Sequence, residues 1–137
     1  MAQVASLRSD KIPMINHGIQ HIQKVLALTN GIAANGDNIE VFGFPPGLKS
    51  RLHRVSVRQA ATLGAGATLT AQVNVSGTRT GITGATTAAA ASKVDSDSDI
   101  DIPMDLSGGE VIELAVGGAN ITAGATVTVD IYVAPRS

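Results

Sequence analysis

The chain has no Cys and no Trp, and only two Phe and one Tyr stand among its 137 residues. Without Cys there is no disulfide framework, no thiol nucleophile and no thiolate metal site. With so few large rings, Val, Ile, Leu and Ala have to fill the interior. The length points to one domain that buries roughly two-thirds of its unfolded surface. No run nears the roughly 18 apolar residues of a membrane span. Residues 1–8 also lack the basic start and apolar stretch of a signal peptide. We therefore expect a soluble chain without its own export signal and without a membrane partner.

A formal net charge of -1 argues against a dedicated nucleic-acid binder. The charges are nevertheless split along the chain. Up to Arg58 seven bases (Arg8, Lys11, Lys24, Lys49, Arg51, Arg54, Arg58) face three acids, whereas from Gln59 onward three bases face eight acids. Such a split is either incidental or a means of docking opposite patches between copies or onto a partner.

From residue 51 onward apolar and polar residues alternate with period two, the mark of strands with one face on a core. Val55 and Val57, then Leu69, Ala71, Val73 and Val75, then Ile100, Ile102 and Met104, then Ile112, Leu114 and Val116, and finally Val127, Val129, Ile131 and Val133 give five strands. Residues 66–75 (GATLTAQVNV) align without gaps to residues 124–133 (GATVTVDIYV). This echo predicts two related hairpins, 51–76 and 110–134, the units of an all-β sandwich or jelly roll. Ile39 to Phe44 reads as a further short strand ended by Pro45-Pro46-Gly47. Residues 15–29 admit two readings: a strand over 20–29, or a helix with Ile15, Ile19, Ile22 and Leu26 on one face. The turn chemistry that follows favours the strand. Residues 77–98 are low in complexity and read as a loop. Residues 1–18 read as an extended N-terminal arm, leaving 19–137 as a single β-sandwich domain.

Asp95, Asp97, Asp99 and Asp101 open like a calcium loop, but Ile100 stands where that loop needs Gly and Leu106 where it needs Glu. In a strand the same acids share one solvated face and protect an edge. His17 and His21 are spaced for a metal only on a helix, and no acid beside them serves as a general base. Leu63-Gly-Ala-Gly-Ala67 has phosphate-loop composition but leads into a strand, so it reads as a hairpin turn. Asn74-Val-Ser76 and Asn120-Ile-Thr122 match glycosylation acceptors, which means little without export. No nucleophile, base and acid converge in sequence, so no enzyme activity and no cofactor are expected; a pocket lined by His53, Asp99 and Asp101 would reopen the question. Arg51, His53, Arg54 and Arg58 form the densest basic cluster. With almost no aromatics to stack bases, this suits an ion-pairing protein contact or a solvated face better than nucleic acid.

The Gly-Asp-Asn-Ile-Glu-Val-Phe-Gly-Phe-Pro run at 36–45, the Thr/Ala/Gly-rich hairpins and the Leu-Ser-Gly-Gly-Glu-Val-Ile-Glu-Leu-Ala-Val run at 106–116 resemble one class of proteins. That class is the small β-sandwich proteins of tailed-bacteriophage virions, most of all capsid decoration or cement proteins. The likeness is one of texture from residue 36 to the C-terminus and carries no defined functional residue onto this chain. It implies a structural protein made in the host cytoplasm that sits on the capsid surface of the virion. There it would bind the major capsid protein as a homotrimer or dimer and clamp neighbouring capsomers. The alternative is a receptor- or carbohydrate-binding module of a phage tail or fibre. For an interface we expect Arg8 and Lys11 from the arm, with Phe42, Phe44, Arg51, Arg54, Arg58 and Tyr132.

Overall fold

The alternating residues become strands with one face in the core. The computed structural model describes residues 18–96 and 103–136. Among these there is no helix and there are nine strands: β1 (Gln20–Leu28), β2 (Asn38–Gly43), β3 (Ser50–Gln59), β4 (Thr68–Val75), β5 (Thr78–Gly81), β6 (Lys93–Asp95), β7 (Met104–Leu106), β8 (Val111–Gly117) and β9 (Ala125–Pro135). All pairings are antiparallel. A front sheet runs β1-β9-β3-β6, with β7 also on β3, and a back sheet runs β2-β8-β4-β5. The chain passes from one sheet to the other after β1, β2, β3, β5, β7 and β8, the wrapping of a jelly roll. Residues 15–29 thus resolve in favour of the strand over the described part of the segment.

The sandwich expectation holds, but the pairing inside it is different. Residues 51–76 and 110–134 are not hairpins, because β3 lies in the front sheet and β4 in the back, and β8 and β9 are divided in the same way. The repeated units instead interlock: β3 pairs with β9 and β4 pairs with β8. Apolar alternation fixes which face of a strand is buried but not which strand lies beside it. Leu63 to Ala67 is accordingly a crossover between sheets rather than a hairpin turn. Residues 77–98 are likewise not a plain loop, since they supply the edge strands β5 and β6. Of the strand expected around Ile100 to Met104, only β7 falls within the described residues, and the arm at 1–17 lies outside them.

The core joins Leu52, Val55 and Val57 of β3, Leu69, Ala71 and Val73 of β4, Ile112 and Leu114 of β8, and Val127, Val129 and Ile131 of β9, all fully buried. Leu63 and Ile121 plug one end from the connecting loops. Polar groups secure the segment that crosses between β5 and β6. The fully buried Gln59 amide donates to the Ala89 carbonyl (3.1 Å) and accepts from the Thr86 hydroxyl (2.9 Å), and that hydroxyl accepts from the Leu69 amide (2.9 Å). Thr83 accepts from the Ala71 amide at 3.0 Å. Buried polar atoms left unpaired would be costly, so these bonds fix the crossing in one place.

The sheet edges are blunted. The long strands β3, β4, β8 and β9 are internal, β5, β6 and β7 are short, and β2 carries a bulge between Glu40 and Phe42. Among the described residues β1 is a long edge strand, but Lys24 lies on its inward side with its ammonium 5.5 Å from the centre of the Phe42 ring. An inward charge on an edge discourages pairing with another strand carrying an ordinary apolar pattern.

The turn between β7 and β8 requires glycine. Gly108 has a φ of +102°, and a Cβ there would meet the Pro45 carbonyl at 2.7 Å and the Leu48 amide nitrogen at 2.9 Å. Buried Glu110 fastens this turn by accepting from the amides of Ser107 and Gly108, both at 2.8 Å. Gly108→Ala should lower urea-measured stability by about 2–3 kcal/mol through backbone strain and displacement of the Pro45 loop. Gly36→Ala, also at positive φ but with open space around it, should cost only about 1 kcal/mol.

Candidate functional surface

The outward residues of the front sheet gather four of the expected interface residues. A register shift between Leu52 and Arg54 places His53 as an extra residue in β3. This keeps Leu52 and Val55 in the core while Arg51 and Arg54 are exposed. Arg58 follows on the same face.

Cross-strand register then builds rows. Tyr132 lies between His21 and Arg54, and Asp130 lies between Gln23 and Ser56, with Asp95 beyond Ser56. The His21 ring stacks on Tyr132 with centres 4.7 Å apart and planes 6° from parallel, and the Arg54 guanidinium lies 5.4 Å from the Tyr132 ring centre on the other side. Both faces of the tyrosine are covered.

Ion pairs use most of the remaining charge. Arg51 binds Asp105 (2.7 Å), Arg54 and Lys93 share Asp95 (2.7 and 2.9 Å), and His21 meets Asp130 at 2.7 Å with Gln23 donating to the same oxygen. The basic first half and the acidic second half of the chain thus meet within one molecule. Hydrogen bonding from Lys93, then from Arg54 and Ser56, holds the Asp95 carboxyl well below the usual carboxylate range against some desolvation. The Arg51 hydrogen bond lowers Asp105. For Asp130 partial burial acts upward, but the hydrogen bonds from Gln23 and His21 outweigh it and the net shift is down. Asp95, the first acid of the calcium-like ladder, is therefore committed to two cations. Asp97, Asp99 and Asp101 lie outside the described residues.

The other expected residues go elsewhere. Phe44 is 5% exposed and belongs to the core, so it is not available to a partner. Phe42 is half-buried, edge-on to Phe44 with ring centres 5.0 Å apart. Arg8 and Lys11 lie outside the described residues, as does His17; His21 is on a strand, which removes the helical spacing a His17–His21 metal pair needed. His53 sits at the bulge, and Asp99 and Asp101, the acids named with it for a pocket, lie outside the described residues. Asn74 and Asn120 are engaged, accepting from the amides of Gly77 (2.7 Å) and Asn35 (2.8 Å).

Sequence reading missed His21, Lys93 and Asp130 as members of the front face. Their only signal was outward parity on strands whose order was unknown. It also missed Glu113 on the back sheet, which is 2% exposed and accepts from Arg79 (2.8 Å), Gln72 (2.9 Å) and Asn74 (3.1 Å). The Arg79 hydrogen bond lowers this carboxyl against its own burial.

A second surface has the opposite character. The connections 29–37, 60–67, 82–92 and 118–124 gather at one end of the sandwich, and their one charged residue is Asp37. Asp37 caps the Ala34 amide at 2.9 Å. The loops fasten one another: Gly31 donates to Ile121, Ile121 to Ala33, and Thr122 and Ala123 to Leu63. The result is an end with a single charge, Asp37, built mostly of Ala, Gly, Thr and Asn, whose loops are hydrogen-bonded to one another.

No family model matches the chain, and no curated protein matches it. Among solved structures it is similar to a chain of the Cyanophage Pam1 capsid asymmetric unit, with a TM-score of 0.62 and 18% identity over 99% of this chain and 100% of that one. The likeness is one of fold, and it spans both chains from end to end.

The depressed carboxylates give a signed pH dependence. Their contribution to stability is complete above the unfolded carboxylate range near about pH 4 and is lost as pH falls through their lowered folded values. Urea stability should be level from about pH 7 to about pH 5 and fall below about pH 4. Asp95→Asn should start lower at neutral pH and fall less on acidification. An equally steep acid limb in that variant would show that the Asp95 pairs are not part of this dependence.

Proposed function

We propose that this protein is a non-enzymatic structural component of a tailed-phage virion. In this reading it sits on the outer surface of an icosahedral capsid, binds the major capsid protein and clamps neighbouring capsomers as a symmetric oligomer, a trimer ahead of a dimer. The observation that carries the reading is the end-to-end likeness of the jelly roll to a chain of a phage capsid asymmetric unit.

The surfaces support a docking role for the loop end, whose one charge is Asp37. Cores of protein interfaces are depleted in charge, and a face with few charges loses little hydration free energy when covered. Loops already fastened to one another lose little further freedom on binding. Repetition around a symmetry axis then multiplies a modest contact. The front face is a poorer primary contact, because its cations already hold Asp95, Asp105 and Asp130 in the same chain. The carbohydrate alternative needs an open ring face. Tyr132 is covered on both sides, Phe42 is half-buried and Phe44 is internal, so the shell reading is favoured.

The test is co-sedimentation of the purified protein with shells of its own phage, with the melting temperature of the shell as a second readout. Wild-type protein should bind and raise that temperature. Ala34→Lys combined with Ala85→Lys, two exposed positions on the loop end, should weaken binding at least about tenfold while changing urea stability by no more than about 0.5 kcal/mol. Failure of the wild type to bind shells would overturn the virion reading. Full binding by the double variant would move the contact to the front face, where Arg58→Glu is then the informative change.

A further inference from the structure

Among the described residues the pairing of charge leaves one arginine and one acid over. Every other described arginine donates a side-chain hydrogen bond to its own chain, but Arg58 makes none. Every other described acid accepts at least one hydrogen bond, but the Glu40 carboxylate accepts none. Both groups are exposed, Arg58 on the outer face of the front sheet and Glu40 on the outer face of the back sheet. Each also stands directly opposite a like charge. Arg58 faces Lys93 across β3 and β6, and Glu40 faces Glu113 across β2 and β8. Like charges so placed oppose strand pairing. Lys93 and Glu113 are neutralised from elsewhere, by Asp95 and Arg79. Asp130, one row from Arg58, is already held by Gln23 and His21. The described chain therefore carries two local conflicts of opposite sign that it does not resolve, and breaches of this kind are expected where a surface serves a partner.

We propose that a second copy of this chain resolves both conflicts, with Arg58 of one copy paired to Glu40 of the next. The surroundings allow close approach. Val25, 61% exposed, and Thr128 complete the row of Arg58, and Asn38 and Ala115 form the row beside Glu40. The contact has a direction. In a two-fold contact each copy gives and receives through one patch, so both residues would have to lie together on it. Here they lie on the outer faces of different sheets with the core between them. The contact is therefore head-to-tail, and such contacts make a ring when the rotation closes. Glu40 is on β2, the end strand of the back sheet, and this corner position favours a turn between successive copies over a straight stack. The smallest ring of this kind is a trimer. The inference rests on the proposed function only for the association of copies, and it leaves the loop end open for a shell.

The test is sedimentation equilibrium of the purified full-length chain at two salt concentrations. Wild-type protein should form a discrete trimer that weakens as salt screens the pair. Arg58→Gln and Glu40→Gln should each weaken association at least about tenfold. The double variant should be no weaker than either single one, because the same contact is lost only once. At concentrations where every form is monomeric, urea midpoints should hold level or rise, since each change relieves a like-charge pair. A monomeric or dimeric wild type, or losses that add in the double variant, would overturn the proposal. So would a fall in the urea midpoint with no change in mass, which would place the partners of Arg58 and Glu40 within their own chain. Shell binding is measured separately, so a trimer that ignores shells would overturn the virion reading and support this one.

Discussion

The front sheet depends on β9. This last strand lies between β1 and β3 and pairs along most of its length with both, so the first strand of the sandwich has no described place in a sheet until the end of the chain arrives. Its inward residues Val127, Val129 and Ile131 are fully buried. A fold closed by pairing between distant segments carries a large loop-closure cost before its contacts are made, and such topologies fold slowly. Two repeated units soften the problem. The β3–β9 and β4–β8 pairings extend the same interlock from one sheet into the other, so forming one brings the partners of the other close.

Charge is arranged to serve this closure. Arg51, Arg54 and His21, from the first half of the chain, bind Asp105, Asp95 and Asp130 from the second. Exposed pairs add little free energy singly. Their effect here is closer to specification, because each joins neighbouring strands and is made only in the native register. Tyr132, held between His21 and Arg54, adds packing to the same row. A face so thoroughly paired within the molecule has little charge left to offer a partner. The loop end has the complementary property, with loops hydrogen-bonded to one another and Asp37 as its one charge to dehydrate. The proposal that the loop end docks rests on that contrast.

Much of the architecture was legible in the residues. Period-two alternation placed β3, β4, β8 and β9 and their buried faces, and turn chemistry after Leu28 favoured a strand for β1. These are local properties, set by which side chains prefer water. The common face of Arg54 and Arg58 was legible for the same reason. Arg51 joined them only because a bulge at His53 corrects the parity, and an extra residue in a strand leaves no clear mark in its own sequence. The Ala- and Thr-rich stretch at 77–98 gave no periodic signal, so β5, β6 and the bonds of Gln59, Thr83 and Thr86 appear only in three dimensions.

The sequence by itself determined an all-β chain with a small-residue core, no thiol chemistry and a charge split between its halves. Tertiary structure decided which strands are neighbours, and therefore that the related units interlock across two sheets instead of folding as hairpins. It also decided that Phe44 is internal and that the opposed charges meet within one molecule. The division has one physical cause. Burial preference is a property of each residue along the strand, whereas a partner across a sheet is chosen by the chain's closure as a whole.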